Sequence, residues 1–416
     1  MTNEQRLHEF LLLLHRWTGV GSALFLIIVG LTGSVLAFRS QIDRLLNPQL
    51  HAAVQPGRQP LDLATFAERA EAADPHCRPG YYSIEEDQVV MAMGARTDPA
   101  TGKPYQLGYD HLIFDPWTGN ALARLPMRGP GSWRTRVLPF VYDLHTSLAT
   151  RTNTGWTIVG IVALIWTLDS FVGFYLTFPR GANRFWQRWR QAWKIKFGAS
   201  AMCVNFDLHR AGGLWLWPLL FIFGWSSVML GLPQVYAPVT KAFFDYRGFD
   251  DSMQQLTLPK PLETPKLDWR TAQAAGERIM AEQAVQHHFT IERPYGMAYI
   301  DIYGAYTYGV RSSLDLRGHG WDTTVLIDGN TGQMRSVDLP RGQHMGNTVS
   351  TLLWGIHYAD LRDCLPYRIF ICLFGLFLVM LSVTGVYIFW KKWRVRKVAR
   401  TQRRSVERER CPATAS

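Results

Sequence analysis

Four stretches of the 416-residue chain are each long and apolar enough to cross a bilayer, and they constrain the fold before any motif does. They run Trp17–Phe38, Gly155–Phe178, Ala211–Pro233 and Ile369–Trp390. A spanning helix needs about 20 predominantly apolar residues. The first, third and fourth stretches hold no charged residue, and the second holds one, Asp169. The first run is too long for the core of a secretory signal and is followed by no small-residue cleavage site, so it reads as an uncleaved helix.

Charge then sets the expected sidedness. Lys and Arg outnumber Asp and Glu by 11 over the chain. The short segment 179–210 carries seven basic residues against one acid, and the tail 391–416 carries ten against two. The long segments are balanced: 39–154 has twelve of each sign, and 234–368 has thirteen basic and fifteen acidic. Basic residues hugging the spans mark cytoplasmic segments. The expected order is therefore a cytoplasmic N-terminus with the first span (1–38), an outer domain (39–154), the second span (155–178) and a cytoplasmic basic loop (179–210). The third span (211–233), a second outer domain (234–368), the fourth span (369–390) and a cytoplasmic basic tail (391–416) follow. This placement makes the basic excess a topology signal; a nucleic-acid patch is the competing reading, and basic residues that hug the spans speak against it.

Each outer segment is too long for a plain connection and should fold as a small domain. Gly296–Arg311 reads as aromatic-rich strands separated by Gly, and Leu267–Ala284 has helical spacing, so each outer domain is expected to be α+β. The cysteines Cys77, Cys203, Cys364, Cys372 and Cys411 include no C-x-x-C pair. A zinc ribbon, a thioredoxin-like site and covalent c-type haem attachment all lack their motif.

The chain repeats itself. Leu14-His15-Arg16 before the first span matches Leu208-His209-Arg210 before the third, and at the same offset Gly30 falls on Gly224. His145 precedes Gly173 by 28 residues, and His357 precedes Gly385 by the same 28. Asp115-Pro116-Trp117-Thr118-Gly119 matches Asp328-Gly329-Asn330-Thr331-Gly332, a tight-turn pattern between strands. The expected fold is thus a membrane protein with four transmembrane helices, written as a duplicated two-helix unit, each unit carrying one α+β domain. Each half then holds one His at the inner edge and one at the outer edge.

A single His at a membrane edge is usually an interfacial hydrogen-bonder; four at duplicated positions are harder to read that way, and ionisable residues in a bundle are functional candidates. Paired as His15 with His209 and His145 with His357, they suit bis-histidine haem, with iron between two neutral imidazoles in an apolar bundle. Zinc is the rival, but each layer offers two His without Cys or paired acids, and zinc usually takes four ligands. Gly30, Gly224, Gly173 and Gly385 would give a flat macrocycle room; ordinary helix-packing glycines are the alternative. Arg16 and Arg210 suit haem propionates, and equally suit lipid anchoring at the inner face. Asp169 is a proton relay or a bond to a neighbouring helix.

The inner L-H-R, the His before the second and fourth spans, the late G-x-Y and the two D-x-x-T-G turns together resemble the PepSY-associated transmembrane helix family. The resemblance runs from about Leu7 to Trp390. Its best understood members are bacterial inner-membrane reductases of ferric siderophores, including ferrioxamine-type ones. The resemblance implies PepSY-like periplasmic domains, two haems b ligated by His15, His209, His145 and His357, and electron flow outward to a ferric siderophore.

Without a G-x-G-x-x-G after a strand, the chain has no visible nucleotide site, so its electron donor should be a quinol or a separate cytoplasmic reductase. Tyr295, Tyr299, Tyr303, Tyr306 and Tyr308 line the acceptor surface or merely pack the strands. His319, His344 and Met345 touch a metal-bearing substrate or are simple loop residues. Two rival classes stand beside the reductase: a PepSY-type regulatory or binding module without redox activity, which needs no matched His, and a transporter, for which the nearly uncharged spans make a weak case.

Overall fold

The computed structural model describes residues 3–126, 131–181, 183–248, 256–361 and 364–410, with side chains as far as 397. Cys411 lies outside them. The described chain divides into two compact units. One is helical, built from residues up to 37, 142–233 and 369 onward; the other holds the β-sheet, built from 38–141 and 234–368. Residues 142–154, assigned from sequence to the first outer domain, group with the helices.

In the helical unit, α1 (Asn3–Leu36) precedes the sheet-unit helices α2 (Arg39–Leu46) and α3 (Leu63–Ala73). α4 (Trp133–Ser147) leads into the helical unit's α5 (Asn153–Leu176), followed by α6 (Phe185–Trp189), α7 (Ala201–Trp215) and α8 (Trp217–Gly231). After α9 (Pro233–Phe243), α10 (Trp269–Gln286) and α11 (Met345–His357), the last described element is α12 (Leu365–Arg410). α1, α5 and α12 are each long and apolar enough to cross a membrane; α7 and α8 reach a fourth span only when taken together. The third apolar stretch is therefore not one straight helix. α7 and α8 meet at 68° around Leu216. Pro218 supplies no N–H to the preceding turn and its ring crowds the carbonyl four residues back, which breaks the helix there. The helices also begin earlier than hydropathy suggested: His15 and His209 lie inside α1 and α7, not at their starts.

Glycines let these helices approach. A Cβ on Gly30 would lie 2.7 Å from the Gly375 carbonyl oxygen, and the neighbouring Ser34 hydroxyl donates to the Cys372 carbonyl, joining α1 to α12. Gly160 and Gly231 face each other between α5 and α8, and Gly224 meets Thr167 one contact further along. Small residues at crossings are how helices gain contact where the solvent is as apolar as their side chains.

The sheet unit contains one eight-stranded antiparallel sheet in the order β4-β3-β2-β1-β5-β6-β7-β8. β1 (Cys77–Ile84), β2 (Val89–Ala95), β3 (His111–Phe114) and β4 (Ala121–Leu125) come from the first long segment. β5 (Ile291–Ile300), β6 (Ala305–Ser312), β7 (Thr323–Asp328) and β8 (Met334–Asp338) come from the second. The two segments expected to form separate domains are joined through β1 and β5, where Tyr82 pairs with Met297 and Ser83 with Gly296. Either half presents the same elements: a helix capped by Asp (Asp62 to the Thr65 N–H, Asp268 to the Thr271 N–H), then a four-strand meander. The D-x-x-T-G motifs form matching turns. Asp115 accepts from the Trp117 and Thr118 N–H groups and Asp328 from Asn330 and Thr331, while Gly119 and Gly332 take φ of 66° and 70°. Only Gly enters that left-handed region without strain.

One core runs beneath both halves. Phe66, Ala67 and Ala70 of α3 and Trp269, Ala272, Ile279 and Met280 of α10 pack on Tyr82, Met91, Leu112, Phe114, Tyr306, Tyr308, Val325 and Ile327. Tyr295, Tyr299, Tyr306 and Tyr308 are all buried, and Tyr306 donates to the Leu267 carbonyl. These tyrosines are packing residues, and an acceptor surface made of them is ruled out; Tyr303 alone of the five is partly exposed, in the β5–β6 turn.

Candidate functional site

His15 on α1 and His209 on α7 face each other with ring centroids 6.2 Å apart. Each ring is held from behind by a different helix. His15 Nδ1 lies 2.9 Å from an Asp169 carboxylate oxygen on α5, and the other carboxylate oxygen accepts from the Thr18 hydroxyl at 2.8 Å. His209 Nδ1 lies 3.0 Å from the Leu381 carbonyl and 3.2 Å from the Thr384 hydroxyl on α12. The Asp169 carboxylate and the Leu381 carbonyl offer lone pairs only, so Nδ1–H donates in both rings, and in the neutral form of an imidazole the lone pair then sits on Nε2. Among the described residues, neither Nε2 has a hydrogen-bond partner.

The two late glycines meet these rings. A Cβ on Gly173 would stand 3.2 Å from His15 Cε1, and one on Gly385 would stand 3.1 Å from His209 Cε1. Each lies four residues beyond the group that fixes its ring, Asp169 for His15 and Leu381 for His209. Gly173 and Gly385 thus seat an imidazole edge. Gly30 and Gly224 do not share that role. They were expected to make room for a macrocycle, and their nearest neighbours are the backbone and side chains of packed helices.

Haem b fits this donor set. A metal bound by two facing imidazoles at about 2.0 Å each would need their ring centroids on the order of 6 Å apart. The observed centroid distance of 6.2 Å agrees with that spacing. Anchoring of the second nitrogen fixes tautomer and orientation, as ligand histidines require. Among the described residues, no group of three or more His, Cys, Asp or Glu is placed to hold a metal ion, so the zinc alternative lacks a ligand set.

The two expected propionate partners differ. Arg210 is engaged by Asp207 at 2.6 Å and by the Gln191 carbonyl at 3.2 Å, though its Nε is buried with no partner among the described residues. Arg16 forms no ion pair among the described residues and is repelled by the nearby positive charges of Arg396 and Lys392.

His145 is in the last turn of α4, within the helical unit. Its Nδ1 lies 2.9 Å from the Thr32 hydroxyl, and a Cβ on Gly33 would stand 3.1 Å from its Cε1. His357 ends α11 in the sheet unit. Each is followed by a left-handed turn before its span, through Leu148, Ala149 and Arg151 in one case and Ala359 in the other. Elsewhere in the sheet unit, His319 pairs with Asp360 at 2.7 Å, His344 pairs with Asp245 at 2.6 Å, and Met345 is exposed.

Sequence reasoning missed Thr18, Thr32, Gly33, Thr384 and the Leu381 carbonyl. A signal for some of them was present. The dipeptides Thr32-Gly33 and Thr384-Gly385 each place a hydroxyl and a bare backbone against one imidazole.

Apolar helices packed through glycines, one apolar stretch among them broken at Pro218, define a multi-pass membrane protein with an antiparallel sheet unit. The sequence profile of the PepSY-associated TM region matches residues 12–392, and the chain belongs to that family. A comparison with curated proteins gave no match.

Proposed function

We propose that the protein is a bacterial inner-membrane haem b electron-transfer protein that reduces ferric siderophores in the periplasm and so releases ferrous iron. The observation that carries this reading is the His15–His209 pair: two facing rings 6.2 Å apart, each anchored through Nδ1, with no hydrogen-bond partner at either Nε2 among the described residues. Haem held there supplies one-electron exchange between ferric and ferrous states. Asp169, Leu381 and Thr384 orient the ligands, Gly173 and Gly385 seat them, and the apolar helices keep water from them. For a second haem on His145 and His357, the support is their duplicated sequence spacing alone.

The duplicated motifs favour a chain of four spans built as two copies of one unit. The basic segments 179–210 and 391–416 favour a cytoplasmic location for both, with the long segments in the periplasm. There, a bulky polar acceptor meets folded protein and not lipid. Arg16, Lys392 and Arg396 then face anionic headgroups or docking partners at the inner side. Electrons enter from a quinol or a cytoplasmic reductase. Ferric iron in hard oxygen ligands loses affinity once it gains one electron, because ferrous iron is less charged and softer. The substrate step is one electron to one ferric ion, followed by loss of the chelator.

The test uses purified protein reduced anaerobically and then mixed with a ferric hydroxamate and a ferrous-specific chromophoric chelator. Re-oxidation of the haem with matching formation of the ferrous complex is the expected result. A reduced protein that stays reduced with every ferric chelate offered would remove the iron reductase assignment. A colourless preparation would instead favour a regulatory or binding module.

A further inference from the structure

The two halves of the His15–His209 site are not electrically equivalent. At one duplicated position the chain carries Asp169; 212 residues on, the matching position is Leu381. Both sit four residues before the glycine that seats the ring, and both accept the Nδ1 proton of their histidine. One does so with a carboxylate and the other with a backbone carbonyl. Asp169 is the single charged residue in the four apolar stretches, and a charge at that depth is costly without a purpose or a partner. A hydrophobic residue with a carbonyl behind it evidently suffices to orient His209. Orientation alone therefore does not account for a carboxylate behind His15.

We infer that Asp169 is a positioning residue whose charge makes His15 the more electron-donating ligand and lowers the reduction potential of the inner group. The inference rests on the haem reading above. A carboxylate accepting the Nδ1 proton pushes electron density onto the imidazole, which stabilises ferric over ferrous iron; the effect is strong where water is scarce. The Thr18 hydroxyl, donating to the other oxygen of Asp169, moderates that charge. A lower potential at the entry pair makes electron flow toward the opposite face downhill.

The experiment is a spectroscopic redox titration of full-length detergent-solubilised protein, wild type against Asp169→Asn and Thr18→Val. Asn keeps an oxygen to accept the Nδ1 proton but carries no charge. At an ambient potential near the wild-type midpoint, Asp169→Asn should raise the ferrous-to-ferric ratio of the inner group about tenfold, which for one electron is about 59 mV. Thr18→Val removes the moderating hydroxyl and should move the ratio the opposite way. An Asp169→Asn protein that keeps its haem and titrates with the wild-type midpoint would overturn the inference. If Asp169→Asn loses the haem, Thr18→Val decides, and an unchanged midpoint in that variant overturns it. Wild-type protein without haem b would instead defeat the functional reading itself, so the two failures are separable.

Discussion

At the scale of single residues, an imidazole is useful to a metal only when one nitrogen is tied down and one edge has room. The spacing of His15, His209, Gly173 and Gly385 was legible in the sequence because it depends on side-chain type and repeat offset. The Leu381 carbonyl was not legible, since every residue carries one. For the same kind of reason, the roles of Gly30 and Gly33 were not legible. Both glycines lie in the same helix, and only the packed bundle shows that Gly30 meets Gly375 while Gly33 meets His145. These contacts give a graded prediction. Gly385→Ala puts a Cβ 3.1 Å from His209 Cε1, a distance the ring can meet by a small shift. Gly385→Leu adds a branched side chain that cannot share that space. Haem content by pyridine haemochrome should fall modestly in the Ala variant and by most of one haem per chain in the Leu variant, while both fold. Equal haem in wild type and Gly385→Leu would show that the glycine does not seat the ligand.

At the scale of elements, the D-x-x-T-G turns were readable because an Asx turn and a left-handed Gly are set locally. The seam between β1 and β5 was not readable. It consists of two residue pairs in strands whose alternation is satisfied with or without a partner, so two domains were expected where one sheet forms. The break at Leu216 was hidden by apolar composition, although Pro218 was in plain view. One of the turns supports a pH prediction. Burial by itself would raise the Asp328 carboxyl, but bonds from Arg335 and from the Asn330 and Thr331 N–H groups outweigh it and hold the group down at about 2. The folded chain then binds fewer protons than the unfolded one between pH of about 4 and about 2, so this contribution is present above pH 4 and is lost as pH falls through that window. Asp328→Asn should lower stability near neutrality by about 2 kcal/mol at most, and the gap to wild type should close toward pH of about 2. Thermal unfolding followed by circular dichroism at both ends of the window checks this; a gap that persists in acid would mean the bonds, not the charge, carry the effect.

At the scale of the whole molecule, the proposed sidedness rests on the basic residues that crowd two short segments, whereas the arrangement of helices around the histidines was not legible, since hydropathy says nothing about which faces meet. Reporter fusions at residues 100 and 300 should report a periplasmic location and fusions at 190 and 410 a cytoplasmic one. A periplasmic signal from the fusion at 190 would invert the proposed direction of electron flow. Everything above depends on the His15–His209 pair binding haem iron. The most direct measurement is the visible spectrum of the purified protein, oxidised and dithionite-reduced, compared with the His15→Ala and His209→Ala variants. The account predicts a low-spin b-type spectrum that responds to dithionite and a loss of one haem per chain in both variants. The same haem content in wild type and both variants, or a protein with no haem at all, would contradict it.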